Sequence, residues 1–456
     1  MEIKRDAYQD LLRWKSSADR KPLLIRGARQ VGKTTLVRQF SREFRVFVEL
    51  SMERKDDRSI FQRSYGAEEL LNVIFLERRA IQQEGETLIF IDEIQESPEA
   101  IMMLRHLYED RPDLHVIAAG SLLEFALAKV PSFPVGRIDY LTLHPVSFPE
   151  YLQAVNPGAR NILQEMPVPG YAGESLLKLF HEYAIVGGMP GILSRYLDHR
   201  DLAALQKAYR SLWQSFRDDA EKYAGNDTER KVIRHVIETA PGMPDRIKFE
   251  GFGNSSYRSR EVGEALRALD MARVIRLIYP TTNMEPPALP NLKKRPRLQF
   301  VDTGLLNQVL MVQAGMIGIP DLNQVYKGRI IQHLLYQEIT SIHPEPDYKP
   351  RFWVREERNS QAEVDLVYPF SQYLIPLEVK SGKQGKLRSL HQFVEKSRHP
   401  FAVRFHRGPY SVEKVRTPGG HPYLLMNLPY FLGTRLELYL HHLIDSPRSK
   451  LRGIID

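Results

Sequence analysis

The sequence lacks cysteine altogether across its 456 residues, which excludes disulfides and thiolate metal sites. It also lacks any uninterrupted apolar run of about 18 residues, so we expect no membrane-spanning helix. The amino-terminal stretch, MEIKRDAYQDLLRW, carries charges throughout and does not resemble a signal peptide. These absences together favour a location in a reducing cytoplasm.

Charge is present in both signs, with a basic excess of 64 Lys and Arg over 56 Asp and Glu. The formal net charge of +8 favours an anionic partner, and nucleic acid is the first candidate. Many soluble proteins carry such an excess without that partner, so this alternative stays open. The length suggests about three domains, and an apolar content of 43% is enough to give each a core.

Strand and helix patterns alternate from Lys21 to about Leu152. The stretches KPLLI, RVFVEL, TLIFID and LHVIAAG predict strands, and the last two are continuous apolar runs typical of buried parallel strands. Helical patterns separate them, and one begins with Ser97 and Pro98, an N-cap and first-turn pair. The alternation predicts an α/β domain with a parallel sheet.

The stretch GARQVGKT follows the first predicted strand and opens a helix, which is the context of a phosphate-binding loop. Its glycines let backbone N–H groups point at phosphates, and the helix N-terminus adds positive potential. We expect Lys33 to reach the β- and γ-phosphates and Thr34 to ligate Mg²⁺. The predicted nucleotide-binding residues are Gly27, Ala28, Arg29, Gln30, Val31, Gly32, Lys33, Thr34 and Thr35.

Polar residues follow two of the buried strands. TLIFIDEI ends in Asp92 and Glu93, at the strand end where ligands bind in open α/β sheets. We expect Asp92 to hold Mg²⁺ and Glu93 to orient the attacking water. LHVIAAGS ends at Ser121, which can sense the γ-phosphate or help to place the water. Arg137, in a loop, is either an arginine finger for the transferred phosphoryl group or a surface arginine.

Near the other end, EVDLVYPFSQYLIPLEVK predicts two strands joined by a turn. Residues two apart share a face of a strand, so Glu378 and Lys380 point the same way and Asp365 meets them from the neighbouring strand. Two carboxylates suit Mg²⁺ or Mn²⁺, and the lysine can hold water or phosphate. Glu338, on the preceding helix, is the predicted third metal ligand.

This arrangement is the pattern of a metal-dependent nuclease. Glu363 is a second candidate ligand, and Gln392 lies on the helix beyond the hairpin. A basic rim is expected from Lys383, Lys386, Arg388, Arg404 and Arg407. Two alternatives remain: a nuclease fold that only binds DNA or a partner, and an amphipathic hairpin with solvated charges.

Between these regions, Ser175 to about Tyr223 predicts a small helical lid. Two or three helices then precede the strands RVIRLIYP and RLQFVDT, which is a winged-helix pattern. Phosphate contacts are expected from Arg258, Arg260 and Arg267 on the recognition helix and from Lys293, Lys294, Arg295 and Arg297 in the wing. The alternative is a solvated basic face or a protein-docking module.

The stretches RGARQVGKTTLVRQF, LIFIDEIQ, AAGS, the Gly-Arg loop with LHPVSFPEYL, GGMP and RPRLQFVDTGLL occur in this order. The chain thereby resembles a large bacterial and archaeal family of AAA-plus-related ATPases. Members of that family carry a C-terminal domain of unassigned function with a restriction-endonuclease-like fold. The resemblance implies a P-loop core, a helical lid, a winged helix and a nuclease-like end. It also implies a finger role for Arg137.

We therefore expect an α/β multidomain protein with four parts. These are an AAA-plus-type ATPase core (1–155), a helical lid (156–225), a winged helix (226–315) and a PD-(D/E)XK nuclease-like domain (316–456). The expected function is an ATP- and Mg²⁺-dependent ATPase that acts on DNA. The alternative is a nucleotide-gated regulatory protein whose C-terminal fold is an inactive docking or DNA-binding module. A homo-oligomer is left open, since a finger arginine acting in trans requires a neighbouring subunit.

Overall fold

The computed structural model describes residues 3–63, 65–121, 123, 136–222, 224–319, 328–346, 348–355, 362–380 and 387–445. The described helices are α1 (Ala7–Ser16), α2 (Lys33–Phe40), α3 (Lys55–Phe61), α4 (Ala67–Glu77), α5 (Pro98–Asp110), α6 (Phe148–Val155), α7 (Pro157–Gln164), α8 (Gly173–Val186), α9 (Pro190–His199), α10 (Gln206–Glu221), α11 (Asp227–Thr239), α12 (Ser259–Met271), α13 (Thr303–Val309), α14 (Gln313–Met316), α15 (Arg329–Ser341), α16 (Arg388–Lys396) and α17 (Leu436–Ile444). The described strands are β1 (Leu23–Arg26), β2 (Val46–Ser51), β3 (Thr87–Asp92), β4 (His115–Ala119), β5 (Asp139–Thr142), β6 (Ile275–Ile278), β7 (Arg297–Phe300), β8 (Arg351–Val354), β9 (Glu363–Phe370), β10 (Tyr373–Val379), β11 (Phe401–His406), β12 (Ser411–Arg416) and β13 (Pro422–Pro429).

The amino-terminal part contains a five-stranded sheet in the order β2-β3-β4-β1-β5, and every pairing in it is parallel. All residues of β1, β3 and β4 are buried, and for β3 and β4 the continuous apolar runs predicted this. Helix α5 begins as expected, because the Ser97 side chain accepts from the Ala100 N–H and Pro98 occupies the first turn. This parallel sheet with its helices fits a P-loop ATPase core.

Helices α6 to α10 form the region that follows the sheet. The GGMP stretch separates α8 from α9: Gly187 has a φ of 78°, and α9 begins at Pro190. A Cβ on Gly188 would lie 2.3 Å from the Val146 carbonyl oxygen, and the Gly188 N–H donates to the buried Asp302 carboxylate at 2.6 Å. The GGMP and VDTGLL stretches therefore meet, and glycine is required there because the backbones approach closely.

Three helices, α10 to α12, precede an antiparallel two-stranded ribbon of β6 and β7. The ribbon contacts the carboxy-terminal sheet directly. Thr281, just beyond β6, donates to the Phe352 carbonyl at 2.8 Å and accepts from the Val354 N–H at 3.1 Å. The ribbon is thus fixed against β8, the strand at one edge of that sheet.

The carboxy-terminal sheet is mixed, with six strands in the order β12-β13-β11-β10-β9-β8. The predicted hairpin is confirmed as β9 and β10, which pair antiparallel and are joined at Ser371, whose φ is 53°. Strand β11 then pairs parallel to β10. Helix α16 buries Leu390 and Phe393 against a small apolar cluster that contains Trp353 and Leu374.

One continuous apolar cluster extends from the amino-terminal sheet through the helical region to the carboxy-terminal sheet. Polar contacts join the same parts, since the Thr142 N–H donates to the Pro344 carbonyl at 3.1 Å. The parts therefore pack against one another as one body. Among the helices described, none has the length and apolar character needed to cross a membrane.

Candidate functional site

The loop between β1 and α2 curls back on itself. Its backbone is left-handed at Gln30 (φ 62°) and Gly32 (φ 96°). Gly27 also has a positive φ of 152°, and a Cβ there would lie 2.3 Å from the Leu143 carbonyl oxygen. Helix α2 starts at Lys33, so its free N–H groups face the loop. This is the geometry of an anion cradle.

The Lys33 side chain lies inside the loop. Its ammonium Nζ donates to the carbonyl oxygens of Gly27 at 3.0 Å and Ala28 at 3.1 Å, and the residue is only 6% exposed. Burial lowers the Lys33 pKa to about 8, against the opposing effect of Glu93 and Asp92. A positive charge is therefore held where the phosphates of a nucleotide would bind.

Thr34 and Asp92 form the predicted pair of magnesium-site residues. The Thr34 hydroxyl donates to Oδ2 of Asp92 at 2.9 Å, and burial raises the pKa of this carboxyl while the Thr34 hydrogen bond opposes the rise. A hydroxyl and a carboxylate beside a phosphate loop are the oxygen ligands that suit Mg²⁺, so the donor set fits this ion. When bound, Mg²⁺ neutralises phosphate charge.

Glu93 follows β3 directly, in a left-handed conformation with a φ of 49°. Its Oε2 accepts from Gln95 Nε2 at 2.7 Å and lies 3.4 Å from the Ser121 hydroxyl. The structure thus brings Glu93 and Ser121 together, as the sequence predicted. Gln95 had no predicted role. A Cβ on Gly120 would lie 2.4 Å from Gln95 Oε1, so the glycine leaves room for this side chain.

The loop is held by two arginine contacts, and the sequence did not indicate either contact. Arg5 donates to the Val31 carbonyl at 2.9 Å and pairs with Glu150 at 3.1 Å in a buried contact. On the other side, Arg29 forms an ion pair with the buried Asp219 of α10. Partners 145 and 190 positions apart leave no local sequence pattern by which they could have been found.

Arg137 is not brought to this loop. It lies just before β5, which runs parallel to β1, and it pairs with Glu109 near the end of α5. The loop follows the opposite end of β1, about 13 Å away for a four-residue strand. Within one chain, the structure brings together Lys33, Glu93 and Ser121 but not Arg137, so a finger role for Arg137 stays a prediction that requires a neighbouring subunit.

The acidic hairpin brings together the three residues expected there. Asp365 Oδ2 accepts from the Val379 N–H at 2.8 Å, and Glu378 pairs with Lys380 at 2.7 Å. Burial and the neighbouring Asp365 carboxylate raise the Glu378 pKa. Burial also raises the Asp365 pKa, against the lowering effect of Arg297.

Glu338 does not join them, and its prediction as a metal ligand in the hairpin is corrected. Its carboxylate accepts from the Phe148 N–H at 3.0 Å and lies 2.8 Å from the Tyr183 hydroxyl, at the junction with the amino-terminal part. Helix α15 presents Gln332 to the hairpin instead, and Gln332 Nε2 donates to Asp365 Oδ1 at 3.1 Å. Six positions along a helix turn a side chain to a different face.

The prediction that Arg297 is a phosphate contact of the wing is also corrected, because its side chain is buried. Its guanidinium pairs with Glu363 and with Asp245 at 2.9 Å, lies 3.9 Å from Asp365 Oδ1, and stacks over the Phe352 ring. Glu363 therefore binds an arginine of the ribbon. This cation already neutralises much of the acidic cluster.

The remaining predicted residues divide by exposure. The prediction that Arg404 belongs to the basic rim is corrected, since Arg404 is 4% exposed and donates to Asn427 Oδ1 at 2.7 Å. Gln392 is partly buried on α16. The exposed members of the predicted basic surfaces are Arg258, Arg260, Arg267, Lys293, Arg295, Arg388 and Arg407, with Lys294 partly exposed. Lys383 and Lys386 lie outside the described residues.

A metal at the hairpin is not supported by the side chains around it. Both Asp365 carboxylate oxygens accept from the chain. Of the Asp365 and Glu378 carboxylate oxygens, only Oε2 of Glu378 is buried without a hydrogen-bond partner in the described ranges. No cluster of three or more His, Cys, Asp or Glu residues suited to a metal occurs in the described part of the chain.

Comparisons with known proteins agree with the loop geometry. Residues 19–152 match the family model of an AAA domain. Residues 177–315 and 327–417 match two domains of unknown function, DUF8612 and DUF4143. No curated protein matches the sequence.

Among solved structures, the Walker-type ATPase PABY2304 of Pyrococcus abyssi is similar, with 16% identity, a TM-score of 0.44 and coverage of 68% of this chain and 96% of its own. The AAA match and the geometry of the loop carry the assignment. Together they support a P-loop ATPase core that binds and hydrolyses ATP.

Proposed function

We propose that this protein is an ATPase that acts on DNA, with its hydrolysis cycle changing how the carboxy-terminal half contacts the nucleic acid. The observation that carries the ATPase part is the convergence of Lys33, Thr34, Asp92 and Glu93 on one loop. Lys33 and the loop N–H groups would bind the phosphates. Thr34 and Asp92 would hold Mg²⁺.

Glu93 is the residue we assign to orient the attacking water. Its Oε2 accepts from both Gln95 and Ser121, so two polar side chains fix this oxygen close to the phosphate loop. Such a carboxylate can accept hydrogen bonds from a water and aim it in line with the transferred phosphoryl group. Gln95 and Ser121 act here as positioning residues.

The DNA part of the proposal depends on an exposed basic surface. Arg260 and Arg267 lie exposed on α12, with Arg258 exposed at its N-cap, and Lys293 and Arg295 lie exposed in the loop between β6 and β7. A helix with a basic loop beside it is the arrangement with which a winged helix contacts duplex DNA. Arg260 also pairs with Glu264 at 2.9 Å, a contact that leaves its charge at the surface.

The test is the rate of ATP hydrolysis with and without duplex DNA at low salt, together with direct DNA binding. We expect binding and a stimulated rate in the wild type, and loss of turnover in Lys33→Ala. Hydrolysis without any DNA binding or stimulation would remove the DNA part and leave the ATPase. Absence of hydrolysis under all conditions would remove both.

A second candidate is a nucleotide-gated interaction protein without nuclease chemistry. It is favoured by the acidic hairpin, where Arg297, Gln332 and Lys380 occupy the carboxylates. The deciding experiment incubates linear, circular and single-stranded DNA with Mg²⁺ or Mn²⁺, with and without ATP. Cleavage by the wild type and not by Asp365→Ala would restore the nuclease hypothesis, whereas intact DNA throughout would support a binding role.

A further inference from the structure

Arg29 connects the phosphate loop to the helical region. It lies between the two loop glycines, and its guanidinium Nη1 donates to Oδ1 of Asp219 on α10. Asp219 is buried, with its side chain 4% exposed, whereas the Arg29 side chain is 36% exposed. The pair thus joins the loop that follows β1 to a helix 190 positions further along the chain.

The surroundings of Asp219 allow this contact to change. Lys222, one turn later on the same helical segment, also contacts Oδ1 of Asp219 at 3.0 Å. Oδ2 of Asp219 has no hydrogen-bond partner within the described ranges. A buried carboxylate that loses its only cation is costly, but here Lys222 remains as a second cation when Arg29 leaves.

The position of Arg29 favours a change of partner when phosphates bind. Arg29 belongs to the loop that holds the Lys33 ammonium on its carbonyl oxygens, so phosphates bound by this loop would lie close to Arg29. Nucleotide phosphates bound by the loop are a strong anionic partner for any nearby arginine. They would therefore compete with Asp219 for the same guanidinium.

Helix α10 can transmit such a change further. Two ion pairs connect it to α11, the first helix of the predicted winged segment: Arg217 with Glu238 at 2.5 Å and Arg234 with Glu221 at 2.6 Å. A change in the contacts of Asp219 therefore acts on the helix that carries both pairs.

We infer that Arg29 and Asp219 are a positioning pair that couples phosphate occupancy of the loop to the placement of α10. The pair forms when the loop holds no phosphate, and bound phosphates draw Arg29 away and leave Asp219 to Lys222. By linkage, whatever stabilises the Arg29–Asp219 contact weakens nucleotide binding by the same free energy. This inference rests on the proposed binding of ATP.

The test measures binding of ATP and of AMP by calorimetry in variants of the full chain. Asp219→Asn removes the competing anion with little change of shape, so ATP should bind about fivefold tighter, as expected for an ion pair worth about 1 kcal/mol. Arg29→Ala should weaken ATP binding, and adding Asp219→Asn to Arg29→Ala should have no further effect. AMP carries only one phosphate, so its affinity should change less than that of ATP in each variant.

Arg38→Ala is the matched control. Arg38 forms an ion pair with Glu49 in the same part of the molecule, and its side chain is 59% exposed, so ATP affinity should not change. Hydrogen exchange of α10 gives a second readout. We expect ATP to alter it in the wild type and in Arg38→Ala but not in Arg29→Ala.

The inference is overturned if Asp219→Asn binds ATP as the wild type does, or more weakly. It is equally overturned if adding Asp219→Asn to Arg29→Ala still tightens ATP binding. Should Asp219→Asn not fold, the partly exposed Arg29 still provides the test, and unchanged ATP affinity and exchange in Arg29→Ala would overturn it. A wild type that binds no ATP would instead refute the proposed function itself.

Discussion

The phosphate loop and the acidic hairpin both gather charged side chains at strand ends, but these side chains contact different kinds of partner in the two regions. In the loop, backbone N–H groups, the start of α2 and the Lys33 ammonium face one concave space. In the hairpin, Asp365 accepts from Gln332 and Val379, and Glu378 pairs with Lys380. Among the residues that the structure describes, the loop thus holds the Lys33 ammonium on two backbone carbonyls without a direct carboxylate partner, whereas the hairpin pairs its carboxylates with cations and donors of the chain.

The first prediction separates the two regions by activity. Glu93→Gln should lower ATP turnover about 1,000-fold, because the water loses its orienting carboxylate, while ATP binding is kept. Asp365→Asn should leave turnover within about twofold, because distant sites act independently. Phosphate release and calorimetric ATP binding measure both. Turnover retained in Glu93→Gln would reject its role, and turnover lost in Asp365→Asn would show that the regions are not independent.

The second prediction tests whether the hairpin charges are structural. Arg297→Met should lower the free energy of unfolding by about 3 kcal/mol, because it leaves buried carboxylates without their cation. Arg295→Ala, two residues earlier and exposed, is the control and should change it by less than about 0.5 kcal/mol. Urea unfolding measures the difference. Equal stability of the two variants would mean that Arg297 is not a structural cation.

The third prediction concerns Glu338 of α15, which accepts from the Phe148 N–H at the start of α6. Burial raises its pKa to about 8, and the Tyr183 hydrogen bond opposes the rise. The folded protein therefore holds a proton that the unfolded chain releases above about pH 4.5, so stability falls as pH rises from there to 8 and then levels off.

The Tyr183 hydroxyl lies 2.7 Å from the Val146 carbonyl and 2.8 Å from Glu338. It has one proton to donate, so a neutral Glu338 can donate to it in turn. In Glu338→Gln, whose amide also donates but does not titrate, the loss of stability between pH 6 and 8 should be smaller by about 2 kcal/mol. Denaturant unfolding at several pH values measures this. Parallel pH profiles would show that Glu338 does not titrate in this range.

The fourth prediction returns to the loop and has the smallest effect. Because the Lys33 pKa is lowered to about 8, the free protein loses this charge as pH rises through that value. ATP needs the charged form, so its Kd should increase about tenfold per pH unit above 8. Lys33→Arg, which stays charged, should bind with a flat profile over pH 7 to 9. A flat profile in the wild type would contradict the burial-induced shift.

The parts predicted correctly depend on short-range patterns. The phosphate loop follows from glycines and a lysine at fixed spacing between a strand and a helix. The hairpin follows from period-two alternation, which also places Glu378 and Lys380 on one face. Asp92 and Glu93 could be placed because buried strands in parallel sheets end where ligands bind.

The errors share one physical cause. Glu338, Arg297 and Arg404 were placed from the chemistry of their side chains and their position in a predicted element. Each is instead buried against a residue distant in sequence or on a neighbouring strand. A lone charged residue gives no sign of which face it occupies or which partner folding brings to it, because that depends on the packing of whole elements.

The sequence by itself determined that a phosphate loop precedes a helix, that carboxylates end a buried strand, and that an acidic hairpin lies near the other end. Those features are local, because strand and helix periods and loop glycines act within a few residues. Only the tertiary structure decided that Arg29 meets Asp219, that Arg137 stands away from the loop, and that Arg297 neutralises the hairpin acids. The reason is that buried charges require partners, and the packing of distant elements selects them.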